Sequence, residues 1–119
     1  MMTFEEISLF LLSLKGAQKS FPFGEDAMVF KVMDKMFALL AWEKDPLTIS
    51  LKCDPVEATI LRRQYSSVIP GYHLNKDHWN TIAIDESIPD GEICHMVEES
   101  YRLVVQGLSK DKKNELLKL

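Results

Sequence analysis

The hydrophobic residues near the start of the chain repeat with the spacing of one helix face. They form a single apolar stripe, made of Phe4, Ile7, Phe10, Leu11 and Leu14. Thr3 and Glu6 stand at the two positions of a capping box, in which each side chain accepts a hydrogen bond from the other residue's backbone N–H. The pattern predicts an amphipathic helix that stops near Gly16, and the stretch from there to Gly24 predicts a loop.

The middle of the chain carries shorter apolar runs, which are typical of β-strands. AMVFKV (27–32) and MFALLAW (36–42) are separated only by residues 33–35, so we expect a β-hairpin. LTISLKC (47–53) alternates apolar and polar residues, which predicts a half-buried strand with Thr48, Ser50 and Lys52 facing outward. WNTIAI (79–84) predicts a further strand because it alternates in the same way.

Capping residues mark the start of a second helix. Asp54 is a preferred N-cap residue and Pro55 suits the first helical position, so the helix should run from there to about Tyr65. Residues 66–78 form the longest irregular segment, and a turn after residue 85 leads into the last long helix. The final residues, 109–119, predict a short amphipathic helix or a frayed tail.

The order of these elements, α-β-β-β-α-β-α, is typical of one fold class. Grouped strands followed by helices indicate an α+β domain, in which helices pack against a mostly antiparallel sheet. A length of 119 residues allows a single compact domain and leaves no room for two, so we expect one domain over residues 1–119.

The charge and the cysteine content narrow the class of protein. Fourteen Lys and Arg against eighteen Asp and Glu give a net charge of −4, which argues against a generally basic nucleic-acid binder but leaves room for a local basic face. No apolar run approaches the ~18 residues of a transmembrane helix, and acidic residues stand where a signal peptide needs positive charge. Cys53 and Cys94 are too few and too far apart for a disulfide framework. We therefore expect a soluble cytoplasmic protein with no membrane partner.

Five short motifs resemble one known family. They are FPFG (21–24), KVMDKMFAL (31–39), LKCDP (51–55), PGYHLNKDHWNTIAID (70–85) and SYRLV (100–104). On these motifs the chain is identified as a member of the MmcQ/YjbR family over nearly its whole length. The resemblance implies a CyaY-like α+β fold and a DNA-binding role based on a double-wing arrangement of hairpins.

Basic residues are distributed unevenly along the chain. Residues 58–82 carry a local charge of +2 and residues 110–118 also +2, whereas residues 83–109 carry −5. With the resemblance, this distribution predicts weak nucleic-acid binding through the loop and strand at 70–82. Phosphate contacts are expected from five residues, Arg62, Arg63, Lys76, Lys31 and Lys35.

Aromatic and polar side chains in the same segment predict contacts to bases. We expect Tyr72 and Trp79 to stack on unpaired bases. Asn75 and Asn80 carry amide groups that are able to read base edges. His73 and His78 complete the candidate set. Each of these residues also has a structural interpretation, in which arginines cap a helix, Trp79 joins the core and polar groups hold the loop together.

Two other classes of function compete with nucleic-acid binding. The first is a non-enzymatic module that binds a small molecule or a protein in a pocket walled by Tyr72, His73, His78 and Trp79. The second is an enzyme, in which Cys53 would be activated by the start of the second helix, but the adjacent Asp54 opposes a thiolate. The chain has no glycine-rich phosphate loop, and the spacing of its histidines is not that of a helical metal pair. We therefore expect no catalytic residue, no cofactor and no metal, and the sequence does not indicate an oligomeric state.

Overall fold

The computed structural model describes residues 2–22, 24, 26–42, 45–71 and 74–119. Its helices are α1 (Phe4–Ser13), α2 (Pro55–Gln64), α3 (Asp90–Gln106) and α4 (Lys110–Leu117). Its strands are β1 (Ala17–Ser20), β2 (Ala27–Val32), β3 (Lys35–Ala41), β4 (Thr48–Lys52), β5 (Val68–Pro70) and β6 (Trp79–Ala83). All neighbouring strands pair antiparallel, in the order β1-β2-β3-β4-β6-β5. The predicted α+β class and the predicted order of elements are confirmed.

Two short strands add to the predicted order. β1 lies in the stretch that was predicted to be a loop, and β5 lies in the segment that was predicted to be irregular. Both strands stand at the edges of the sheet, where one side of the backbone has no partner strand. Their sequences, AQKS and VIP, show no alternation of apolar and polar residues, so no local pattern predicts a strand there. Their conformation is decided by pairing with β2 and β6.

The helix starts and the hairpin form where the capping and turn residues of the sequence predict them. Thr3 and Glu6 make both hydrogen bonds of the capping box, each at 3.1 Å. The Asp54 carboxylate accepts hydrogen bonds from two backbone N–H groups of the first turn of α2. β2 and β3 are joined by Met33 and Asp34, whose φ angles of 49° and 67° are those of a type I′ turn.

The helices cover only one of the two faces of the sheet, which we call the inner face. Side chains of the inner face, such as Phe30, Leu40 and Ile49, join α1 and α3 residues in one apolar core. Helix α3 is tied to this face by Ser100, whose hydroxyl donates to the Phe37 carbonyl at 2.6 Å and accepts from the Lys52 N–H at 2.8 Å. The opposite face, the outer face, lies outside that core.

The middle of the outer face carries small hydroxyl side chains from β4 and β6. Ser50 points to this face as predicted, but it is buried and not solvent-exposed. It stands in a central strand and pairs directly with Thr81, and the two hydroxyl oxygens are 2.8 Å apart in a hydrogen bond. The hydroxyl pair satisfies groups that the neighbouring strands shield from water.

Candidate nucleic-acid interface

The charges within the sheet all have the same sign. The six strands contain no Asp or Glu, and their charged residues are four lysines, Lys19, Lys31, Lys35 and Lys52. Because side chains alternate along a strand, the register determines which of these lysines share a face. Lys31 pairs with Met36, and Lys52 pairs with Trp79, and all four side chains belong to the outer face.

These residues gather at one end of the outer face. Lys31 lies near the end of β2, Lys52 ends β4 and Trp79 begins β6, so antiparallel pairing brings the three to the same end of the sheet. The adjoining loop adds Lys76 and His78, which are both exposed. We call these five residues the basic end. Lys35 flanks it at the hairpin turn, but it pairs with Val32 and so belongs to the inner side.

Trp79 and Asn80, adjacent in the sequence, point to opposite faces. Trp79 is half-buried and takes no part in the core. Asn80 is only 2% exposed on the inner face. Its Oδ1 accepts from the Arg62 Nε–H at 2.7 Å, and its Nδ2 donates to the Ala58 carbonyl at 3.4 Å. The prediction that Asn80 reads a base edge does not fit this position, because its amide is already engaged inside the protein.

Arg62 stabilises the loop before β6 in this structure. Besides Asn80, its guanidinium donates hydrogen bonds to the backbone carbonyls of Lys76 and Trp79. It therefore links α2 to the loop and to the first residues of β6, which leaves little of the group for an external phosphate. Arg63, the next residue, is exposed on α2 and points to a different side of that helix.

The same loop is held by backbone contacts. The Asn75 side chain accepts from the Asp77 N–H at 2.9 Å, which forms an Asx turn. The His78 carbonyl accepts from the Cys53 N–H at 2.7 Å, so the loop is anchored to the end of β4. The exposed side chains of Lys76 and His78 are thus carried on an ordered segment, although Asn75 is used for the turn.

Two predicted site residues, Tyr72 and His73, lie outside the described residues. The small-molecule pocket predicted from them therefore has two of its four walls outside the described part of the chain. Of the other two walls, His78 is exposed and Trp79 lies on the outer face.

Lys52 was not among the predicted site residues, although the alternation of LTISLKC indicated that it points outward. Its importance comes from its neighbour, since it stands directly opposite Trp79. That pairing depends on the register between β4 and β6, which are separated in sequence by α2 and β5. The alternation of the sequence predicts the direction of the Lys52 side chain but not its cross-strand neighbour.

The environment of Cys53 disfavours a nucleophilic thiol. Burial raises the pKa of the Cys53 thiol to about 11, and the carboxylates of Glu57 and Asp54 add to the shift. A thiol with such a pKa is almost entirely protonated at neutral pH, and only the thiolate is a strong nucleophile. Asp54 raises the pKa of the thiol and so opposes the thiolate, as expected from the sequence.

The fold and the site define a two-layer α+β protein with helices on the inner face and a lysine-bearing outer face. The chain belongs to the YjbR family, whose family model matches residues 12–103. It is 36% identical over 118 residues to the uncharacterised Escherichia coli protein YjbR, covering 99% of this chain and 100% of that protein. A second uncharacterised E. coli protein, YbdF, is 35% identical over 99 residues, covering 83% of this chain and 81% of the relative.

Solved structures show the same fold. The crystal structure of a Deinococcus radiodurans protein matches with a TM-score of 0.91 and 36% identity, covering 98% of this chain and 88% of that one. A crystal structure of a Pseudomonas syringae protein matches with a TM-score of 0.74 and 27% identity, covering 86% and 98% respectively. Within the described part of the chain, no helix has the length and apolar character needed to cross a membrane.

Proposed function

We propose that this protein binds nucleic acid, DNA in the first instance, weakly and through the basic end of the outer face. The observation that supports this proposal is the cross-strand arrangement of Lys31, Lys52 and Trp79 on a surface to which the strands contribute no carboxylate. Lysines on such a surface neutralise phosphates, and the aromatic ring of Trp79, next to Lys52 on the neighbouring strand, offers a base a stacking partner.

The shape of this surface favours a single strand over a duplex. Among the described residues no helix lies on the outer face, so this face offers no helix to a major groove, whereas unpaired bases can lie on a sheet and stack. The affinity should be modest, because the whole chain carries −4 and Asp34 and Asp77 lie near the lysines. With two or three phosphate contacts, the logarithm of the binding constant should fall with that of the salt concentration with a slope of about −2.

Fluorescence anisotropy with a labelled single-stranded oligonucleotide and its duplex tests the proposal. At about 20 mM salt we expect binding of the single strand, with stacking on Trp79 contributing ~1–3 kcal/mol. The double variant Lys31→Ala with Lys52→Ala should weaken binding by about tenfold, since each lysine neutralises a phosphate. The double variant Lys110→Ala with Lys118→Ala, which removes two exposed lysines at the ends of α4 and outside the sheet, is the matched control and should bind like the wild type.

Two results would overturn the proposal. One is the absence of binding to either oligonucleotide at low salt. The other is an equal loss of affinity in the Lys31/Lys52 variant and in the Lys110/Lys118 control, which would mean that only the total charge matters. A stronger affinity for the duplex would leave the assignment of the binding surface intact but would contradict the preference for single strands.

We also propose a cytoplasmic protein that acts by binding and not by catalysis. Both cysteines are free, which is consistent with a reducing compartment. The protonated state of the Cys53 thiol supports the view that it is not a nucleophile. An alkylation experiment at neutral pH, in which Cys53 reacts no faster than a free thiol, would agree with this view, and a much faster reaction would contradict it.

A further inference from the structure

A cleft of about 410 Å³ lies on the inner face of the sheet. Helix α2 packs on β5 and β6, whereas α3 packs on β2, β3 and β4, so the two helices leave a gap above the β4–β6 pair. Leu51 and Ile82 form its apolar floor, and Leu61 of α2 and Leu103 of α3 line its walls. The volume lies within the range of small-molecule sites, ~300–1,000 Å³.

Both walls of this cleft are fixed to the sheet by buried hydrogen bonds. On the α2 side, Asn80 lines the cleft and binds Arg62 at 2.7 Å and the Ala58 carbonyl at 3.4 Å. On the α3 side, Ser100 binds the backbone of Phe37 and of Lys52. Such anchors hold the helices apart at a defined separation, so the cleft is a preformed feature of the fold.

The rim of the cleft is acidic. Its lining carboxylates are Asp54, Glu57, Glu92 and Glu99, and its guanidinium is Arg102. Arg102 is 2.8 Å from Glu99 and neutralises it, and the Asp54 carboxylate caps α2. Lys52 also borders the cleft, but its side chain points to the outer face. His95 lines the cleft as well, and the four carboxylates still outnumber the two cations Arg102 and Lys52, so the lining is negative and favours a cation over an anionic ligand.

One stripe of α3 supplies the polar side of the cleft. Glu92, Glu99 and Arg102 recur at helical spacing beside the stripe that packs on the sheet. The sequence showed these acids as a local charge of −5 over residues 83–109. Only the position of α2 opposite to them turns a solvated acidic helix face into one side of a cleft.

We propose that the cleft between α2 and α3 binds a small organic amine that has an apolar body. The apolar part would lie on the floor between Leu61 and Leu103, and the ammonium group would lie at the acidic rim near Glu57. Burial is the main cause of the raised pKa of the Cys53 thiol, which lines the cleft, and the carboxylates of Glu57 and Asp54 raise it further against the opposing effect of Arg62. This proposal does not depend on nucleic-acid binding, because the two surfaces lie on opposite faces of the sheet.

Three probes of matched size test the ligand class by NMR titration of the ¹⁵N-labelled protein. They are 2-phenylethylamine, the neutral 2-phenylethanol and the anionic phenylacetate. For fragments of this size we expect dissociation constants in the millimolar range. The amine should shift the amide signals around Cys53, Leu61 and Leu103, and it should bind at least fivefold more tightly than the alcohol. Magnesium chloride at the same concentration should leave these signals in place.

A pair of charge-neutralising variants tests the role of the rim. Glu57→Gln should weaken amine binding by about three- to fivefold and leave the affinity for the alcohol unchanged. Glu98→Gln is the matched control, since Glu98 is exposed on α3 and does not line the cleft. Equal affinities for the three probes, shifts outside the cleft, shifts caused by magnesium, or equal effects of the two variants would each overturn the proposal. Loss of oligonucleotide binding alone would leave it intact and count only against the function of the basic end.

Discussion

The buried amide of Asn80 offers a direct test of its assignment to the scaffold. Asn80→Ala removes the acceptor of the Arg62 Nε–H and the donor to the Ala58 carbonyl. Of the two former partners, Ala58 is fully buried and Arg62 is half-buried, and the position of Asn80 itself is only 2% exposed. The variant therefore loses two hydrogen bonds and leaves a charged donor only partly satisfied.

The expected loss of stability follows from these two bonds. A hydrogen bond to a charged group contributes ~1.5–3 kcal/mol, and a neutral amide–carbonyl bond ~1 kcal/mol. We expect Asn80→Ala to lower the free energy of unfolding by about 3 kcal/mol. That is a large part of the ~5–15 kcal/mol typical of a domain, and it should lower the melting temperature by about 10 °C.

Urea unfolding followed by circular dichroism measures this loss. Asn75→Ala is the matched control, because Asn75 is exposed and its amide accepts one local hydrogen bond, so its loss should stay below ~1 kcal/mol. A double-mutant cycle with Arg62→Ala should give a coupling energy of about 1.5–2 kcal/mol, since the two side chains contact each other.

Asn80 is not a scaffold residue of this kind if Asn80→Ala is no more destabilising than Asn75→Ala, or if the effects at Asn80 and Arg62 simply add. Nor is it one if folded Asn80→Ala loses oligonucleotide binding while its stability is unchanged. That result would return Asn80 to the role that was predicted from the sequence.

Three further predictions address the turn, the β5–β6 contact and the thiol. Asp34→Gly should raise the free energy of unfolding by ~0.5 kcal/mol, and with it the urea midpoint, because glycine adopts the φ of 67° without strain; a lower midpoint would contradict this. Gly71→Ala should cost about 2 kcal/mol, since an added Cβ would lie 2.7 Å from the Trp79 Cβ, and an unchanged midpoint would argue against so close an approach. The folded Cys53 thiol has its pKa raised from 9.0 to about 11, so the unfolded state loses its proton first and stability should fall as pH rises through that interval. Discounted for partial exposure, the loss is ~1 kcal/mol, and Cys53→Ser should lack it; identical pH profiles of the two proteins would show that the thiol is not perturbed.

The sequence by itself determined the elements that depend on neighbouring residues. The capping box at Thr3, the Asp54-Pro55 helix start and the hairpin connection within residues 33–35 all form from contacts within a few positions. The α+β class followed from the order of those elements. The edge strands β1 and β5 escaped detection because they have no periodic pattern of their own and take their conformation from pairing.

Only the tertiary structure decided how the candidate sites are divided between the two faces. Alternation shows that Trp79 and Asn80 point in opposite directions, but not which of the two lies beneath the helices. The register across β4 and β6 sets Lys52 opposite Trp79, and the separation of α2 and α3 opens the acidic cleft. These are contacts between residues far apart in the chain, and their geometry depends on how whole helices and strands pack, which no local sequence pattern encodes.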